Sequence, residues 1–149
     1  MAGSNLIAVK RALVAVLPGV MGLAGAWSAT GKLLQGKREC FYLGDRASGP
    51  VAPAAHAGGG RFPRQEDISF SLAIEVRRLG KDTTEQSETD AFEYGRLLEE
   101  YLAGNWQLGK DIPGLLKVVI TDWEVESSPD DDGTTTTLTY IIQAQSHVR

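Results

Sequence analysis

The chain has little of the chemistry that catalytic and metal sites require. Its 149 residues include one cysteine, Cys40, and two histidines, His56 and His147. A single cysteine excludes an internal disulfide framework and fits a reducing compartment such as the cytosol. A zinc site needs about four ligands at motif spacing, which these residues do not provide. Since cysteine in a β-run is usually a small buried apolar residue, we predict no metal site and no catalytic role for Cys40.

Other missing patterns exclude further classes of function. The run Gly58–Gly60 lacks the following Lys-Ser/Thr of a phosphate loop and does not join a strand to a helix. Asp130-Asp131-Asp132-Gly133 lacks the ligand spacing and the closing glutamate of a calcium loop. The net charge of −4 argues against a nucleic-acid-binding domain, which usually clusters lysine and arginine on one face. We therefore predict a single domain that is not an enzyme and has no cofactor.

No apolar run reaches the roughly 20 residues of a transmembrane helix. Residues 12–26 follow Lys10 and Arg11 and have the parts of a secretory signal peptide, which remains the alternative interpretation. The chain is already apolar before these charges, however, and Pro18-Gly19 interrupts the run. We therefore predict a helix from about Ser4 or Asn5 that Pro18-Gly19 ends. Its predicted core-facing residues are Leu6, Val9, Leu13, Val16 and Leu17.

Two segments have the composition of strands. From Ile68 to Val76 apolar side chains alternate with mostly polar ones, which predicts a half-buried strand of the antiparallel type. A shorter β-run is expected at Glu39–Leu43, before Gly44-Asp45. Between them lies a stretch rich in Ala, Gly, Pro and Ser, from Ala47 to Gly60. Its low apolar content predicts a flexible loop at about residues 45–65.

The period then changes to that of a helix. Apolar residues from Ala91 to Leu102 recur at helical spacing, so this helix would cover the apolar face of the preceding strand. Asp82-Thr83-Thr84 marks its start, and the acids Glu85 and Glu88 suit the positive end of the helix dipole. Gly104-Asn105 supplies the stop.

Two further β-runs predict a closing hairpin. They span Leu116–Glu126 and Thr134–Val148, and Ser127–Gly133 between them has a turn composition. The apolar parity of the first run switches part-way, which a bulge near Thr121 or Asp122 would explain. The expected fold is α+β: a mostly antiparallel sheet, an N-terminal and a central helix packed on one face, and a long C-terminal β-hairpin.

The order of these elements carries a resemblance. Four segments carry it. In chain order they are Val9-Lys10-Arg11-Ala12-Leu13 in the first helix, Tyr42-Leu43-Gly44-Asp45 at the end of a β-run, the Glu66–Val76 strand, and Tyr140–Ala144 in the final hairpin. With the acidic linker and the Ala91–Leu102 helix between them, they resemble the tail terminator proteins of long-tailed (siphovirus-type) bacteriophages. The resemblance spans most of the chain except the Ala47–Gly60 stretch.

The resemblance implies a structural protein of the virion that caps the tail tube and joins the tail to the neck. It implies a hexameric ring at the top of the tail, with the tube protein and a neck connector protein as partners and genomic DNA passing through without specific binding. No membrane is involved, and the protein would be made in the host cytoplasm. Segments 127–133 and 47–60 are candidate contacts with neighbouring proteins. Candidate contact or channel residues are Asp130, Asp131, Asp132, Glu85 and Glu88.

Two other readings stay open. Another neck or head-completion protein of the same phage would share the construction of helices on a sheet. A small α+β enzyme or ligand-binding domain would place a pocket between helix and sheet. Such a pocket needs convergent polar groups, and the apolar face of the Ile68–Val76 strand supplies none.

Overall fold

Two helices and a six-stranded sheet form the part of the chain that the structure describes. This computed structural model describes residues 4–29, 39–49, 51–53, 64–109 and 112–148. The helices are α1 (Leu6–Met21) and α2 (Thr84–Gly104). The strands are β1 (Ala24–Ala26), β2 (Glu39–Ser48), β3 (Val51–Pro53), β4 (Arg64–Leu79), β5 (Leu115–Pro129) and β6 (Gly133–Val148).

The sheet has the order β1-β2-β4-β6-β5, and β3 also pairs with β4. Only the β1–β2 pairing is parallel, and the other pairings are antiparallel. The ladder between β4 and β6 runs without a break from Arg64 opposite Val148 to Leu79 opposite Gly133. The fold is therefore α+β with a mostly antiparallel sheet, as predicted.

The core lies between one face of the sheet and both helices. The alternation predicted for β4 is confirmed, because its apolar face is almost completely buried. α2 lies over β4, β6 and β5, whereas α1 lies beside α2 and contacts β1. Each large apolar side chain buried in this way contributes about 1.5–3 kcal/mol. Members of this core include Val9, Leu13 and Leu17 of α1, Ile68, Phe70, Leu72, Ile74 and Val76 of β4, Leu98 and Leu102 of α2, and Leu138, Tyr140 and Ile142 of β6.

The predicted end of α1 was wrong. The helix continues through Pro18 to Met21 and is capped by Gly22, whose φ is 71° and whose N–H donates to the Pro18 carbonyl at 2.9 Å. Met21 lies about one turn beyond Leu17, and both side chains are buried. Packing of this extra turn offsets the cost of an internal proline. Val16, expected in the core, is only partly buried.

A carboxylate from the sheet fixes the start of α1. Oε1 of Glu66, a buried residue of β4, accepts hydrogen bonds from the Ser4 hydroxyl at 3.0 Å and the Asn5 N–H at 3.1 Å. A negative group at a helix N-terminus satisfies free backbone donors and matches the helix dipole. The sequence pattern alone gave Glu66 no role beyond the strand.

α2 begins and ends where the sequence predicted, at Thr84 and Gly104. In its middle the backbone passes directly over Tyr140 of β6. A Cβ added at Gly95 would lie 2.1 Å from the Tyr140 hydroxyl oxygen and 3.0 Å from Leu138 Cδ2. Gly95 therefore sets the close approach of helix and sheet. Burial raises the pKa of Tyr140 to about 12.

The predicted hairpin is confirmed, but its turn is shorter than Ser127–Gly133. Residues 127–129 remain in β5 and pair with Thr136, Thr135 and Thr134, so only Asp130–Asp132 turn the chain. The bulge is confirmed between Ile120 and Asp122. A second register shift, between Leu115 and Lys117, was not predicted; it leaves Leu115 buried and Leu116 exposed.

The expected loop at 47–60 is interrupted by strand pairing. Ala47 and Ser48 belong to β2, opposite Phe70 and Ser69, and Val51–Pro53 form β3 against the start of β4. Composition did not show this because backbone pairing does not depend on apolar side chains. Residues 54–60 lie outside the described part of the chain.

Candidate interaction site

The five predicted contact residues lie at one end of the molecule. Asp130, Asp131 and Asp132 form the hairpin turn, and Glu85 and Glu88 lie in the first turns of α2. The segment between β4 and α2 joins the two groups, because the N–H of Gly80 donates to the Asp132 carbonyl at 2.8 Å. The structure therefore brings together residues that are about 45 positions apart in the sequence.

The carboxylate of Asp130 makes hydrogen bonds across the turn. It accepts them from the N–H groups of Asp132 and Gly133 at 2.8 and 2.9 Å. The Arg77 guanidinium donates to both carboxylate oxygens, at 2.9 and 3.1 Å. This bidentate pair, with the two backbone donors, lowers the pKa of Asp130 to about 2. Asp130 is therefore ion-paired with Arg77, whereas Asp131 and Asp132 are exposed.

A buried network of hydroxyl groups fastens α2 to the hairpin. Ser87 and Thr136 are both fully buried, and their hydroxyl oxygens are 2.6 Å apart. The Thr136 hydroxyl lies 2.9 Å from that of Ser127, which in turn donates to Glu88 Oε1 at 2.8 Å. Immediately before α2, the Thr83 hydroxyl donates to Thr134 at 3.1 Å. Glu88 is thus an anchor of this network as well as a surface acid.

Sequence reasoning missed this network and the role of Arg77. Arg77-Arg78 at the end of a strand reads as solvated, yet Arg78 donates to Asp90 of α2 and Glu39 of β2, both at 2.8 Å. The run of four threonines from Thr134 to Thr137 was the available signal, because alternate residues of a strand share a face.

A second surface lies where α2 meets the edge strand β5. Phe92 of α2 and Trp123 of β5 stack edge to face, with ring centroids 5.4 Å apart, and are 38% and 58% exposed. Further along, Trp106 is 61% exposed and borders an open groove of about 270 Å³. The groove is lined by Glu99, Leu102, Ala103, Trp106, Val118, Val119 and Ile120.

The acids of β5 lie on the other face of the strand from these rings. Asp122, Glu124 and Glu126 are exposed and alternate with Trp123 and Val125, so their side chains point away from α2.

A cation–π contact joins α1 to the segment after β1. Nζ of Lys10 in α1 lies 5.2 Å from the centroid of the Trp27 ring. Lys10 itself is buried, whereas Arg11 is exposed and Ile7 is 50% exposed. The start of α1 lies beside the segment that leads into β5, because the Asn5 side-chain amide donates to the Pro113 carbonyl at 2.8 Å.

No family model and no curated protein matches this chain. Within the described ranges, no helix is both long and apolar enough to cross a membrane. No group of three or more His, Cys, Asp or Glu side chains is placed to hold a metal ion in the same part of the chain.

Proposed function

We propose that this protein is a tail terminator of a long-tailed bacteriophage, a structural virion protein that caps the tail tube as a hexameric ring and joins the tail to the neck. Its partners in this proposal are further copies of itself, the tube protein and a neck connector. The observation that carries the proposal is the order of elements: α1, β2, β4, α2 and the closing β5–β6 hairpin follow one another as the resemblance implies.

The dense hydrogen bonding of the hairpin end supports a mechanical role. β4 and β6 are 16 residues each, so their shared ladder is roughly 50 Å long. At its end the turn is fixed by the Arg77–Asp130 pair, and α2 is fastened alongside by the buried hydroxyl groups. A surface that docks on a tube benefits from such fixed geometry, because little conformational entropy is lost on binding.

The charge of that end supports a place beside the channel. A ring that passes DNA without holding it should avoid basic groups at the lumen, because phosphate contacts dominate affinity for DNA. In this proposal the exposed acids Glu85, Asp131 and Asp132 face the channel. A structure of the assembled ring with these three side chains on its outer rim would contradict this placement.

The decisive experiment is electron microscopy of particles made by a phage that encodes this protein but carries a stop codon early in its gene. We expect tail tubes of uncontrolled length without heads, and normal tails when the intact gene is supplied in trans. Tails of normal length without heads would instead assign the protein to the neck. Normal, head-bearing tails would exclude both assignments.

A further inference from the structure

One edge of the sheet is open beyond the bulge in β5. Among the described strands, only β6 pairs with β5. The segment after α2 covers the beginning of the other side of β5, since the Val118 N–H donates to the Trp106 carbonyl at 2.8 Å. The Gln107 side chain likewise donates to the Leu115 carbonyl at 3.1 Å. Within the described part of the chain, no such backbone contact reaches residues 122–129, which we call the free edge.

The free edge is regular enough to accept another strand. Both register shifts of β5 lie before it, and residues 122–129 pair one to one with residues 141–134 of β6. In an antiparallel edge strand, the N–H and C=O groups of every second residue point outward. A row of such groups is a template for pairing with another chain, so an extended peptide can add a strand here.

The two faces of the free edge differ in chemistry. Trp123 and Val125 lie on the face toward α2, where the Trp123 ring is exposed and contacts Phe92. The other face carries three exposed acids, which are Asp122, Glu124 and Glu126. Their partners on β6 are an isoleucine and two threonines, so no basic side chain of β6 pairs with them.

Protection against unwanted pairing does not explain both faces. Charged side chains and a proline, such as Pro129 here, guard an edge against indiscriminate strand addition. An edge that only excludes other strands has no need of an exposed tryptophan, because an exposed apolar ring promotes association. The combination indicates discrimination in favour of one kind of strand.

We infer that the free edge binds an extended segment of a partner protein in which lysine or arginine alternates with apolar residues. In an added strand, residues directly opposite those of β5 have their Cβ atoms about 5 Å away on the same face. The basic side chains of the segment pair with the three acids, while its apolar side chains pack on Trp123 and Phe92. Opposite charges and aromatic–aliphatic pairs across a strand pair are both stabilising.

A second copy of this chain does not fit the free edge. No two lysines or arginines in the sequence are separated by a single residue, so the chain lacks the required alternation. Pairing of two β5 strands would set the three acids against their own copies, and like charges directly opposite each other are destabilising. The occupant is therefore a different protein. The inference goes beyond the proposed function and does not depend on it.

The test uses a nine-residue peptide with capped ends, in which lysine occupies the odd positions and valine or phenylalanine the even ones. A second peptide has the same composition, but its lysines all come first, so it has equal charge without alternation. NMR titration of the full chain measures affinity, and amide hydrogen exchange measures protection along β5. We expect the alternating peptide to bind with a Kd below about 1 mM. It should protect every second amide among residues 122–128.

A pair of charge variants tests the acidic face. Glu124→Gln/Glu126→Gln should weaken binding of the alternating peptide by about 2- to 30-fold, since two cross-strand ion pairs are lost. Glu93→Gln/Glu100→Gln is the matched control, because it removes as many exposed charges from α2. The control should leave the affinity unchanged.

A pair of tryptophan variants tests the other face. Trp123→Ala should weaken binding at least about twofold. Trp106→Ala, which removes an equally exposed ring beside the covered part of β5, should not. Far-UV circular dichroism checks the folding of each variant, and Trp123→Leu replaces Trp123→Ala if that variant does not fold.

Three results would overturn the inference: no protection of β5 amides at about 1 mM peptide, equal affinity for the two peptides, or equal effects of the free-edge variants and their controls. The proposed function would stand after any of them, because it depends on the tails made without the protein. Conversely, normal head-bearing tails combined with the expected binding would remove the terminator role and leave the strand site in place.

Discussion

Replacing Gly95 by alanine tests the close packing of α2 on β6. The new Cβ would lie 2.1 Å from the Tyr140 hydroxyl oxygen and 3.0 Å from both Tyr140 Cζ and Leu138 Cδ2. Overpacking of this kind costs about 1–3 kcal/mol, whereas alanine gains about 1 kcal/mol over glycine inside a helix. Gly104→Ala is the matched control in the same helix, because nothing lies within 4 Å of its added Cβ.

We expect the free energy of unfolding of Gly95→Ala to be about 1–3 kcal/mol below that of Gly104→Ala. Urea unfolding followed by far-UV circular dichroism measures both. In a Tyr140→Phe background the nearest atom is absent, while the contacts at 3.0 Å remain. The cost of Gly95→Ala should therefore shrink without vanishing. Equal stability of the two alanine variants, or a cost unchanged by Tyr140→Phe, would refute the packing argument.

Three further predictions concern the hairpin turn and α1. Arg77→Gln should raise the pKa of Asp130 from about 2 toward its ordinary 3.8 in an NMR titration. Because that pKa is depressed in the folded state, the stability linked to it is present above pH 3.8 and is lost as the pH falls through about 2. An unchanged pKa would contradict the pairing of Arg77 with Asp130. Glu66→Ala should lower the free energy of unfolding by about 1–2 kcal/mol, because the hydrogen bonds at the start of α1 are lost. Glu66→Gln keeps an acceptor and should lower that free energy less. Equal losses in the two variants would exclude the capping role of Glu66. Pro18→Ala should stabilise by up to about 3 kcal/mol, since it supplies a donor for the Val14 carbonyl, and a lower melting temperature would contradict this.

The sequence predicted those elements whose signal is periodic. β4 and α2 have long runs of period 2 and period 3.6, and the structure places both within a few residues of the predicted bounds. The β5 bulge was predictable for the same reason, since a switch of parity is visible in the residues themselves. These features depend on which side chains must face the core.

Features that depend on long-range partners were not predictable. α1 continues beyond Pro18 because the Met21 side chain is buried in the core. β3 forms because it pairs with the first residues of β4. In the same way, the roles of Arg77 and Glu66 require knowledge that Asp130 and Asn5 lie nearby. The acidic turn was identified as a candidate from composition, but its division into one paired and two exposed aspartates required coordinates.

The position of β6 has a consequence for the newly made chain. β6 follows all the other described elements in the sequence, yet it lies between β4 and β5 and is the only strand that joins them. A nascent chain that has emerged from the ribosome as far as the hairpin turn therefore lacks the strand that joins β4 to β5. Because pairings between distant segments form late, we expect the sheet to be completed only after synthesis has passed β6.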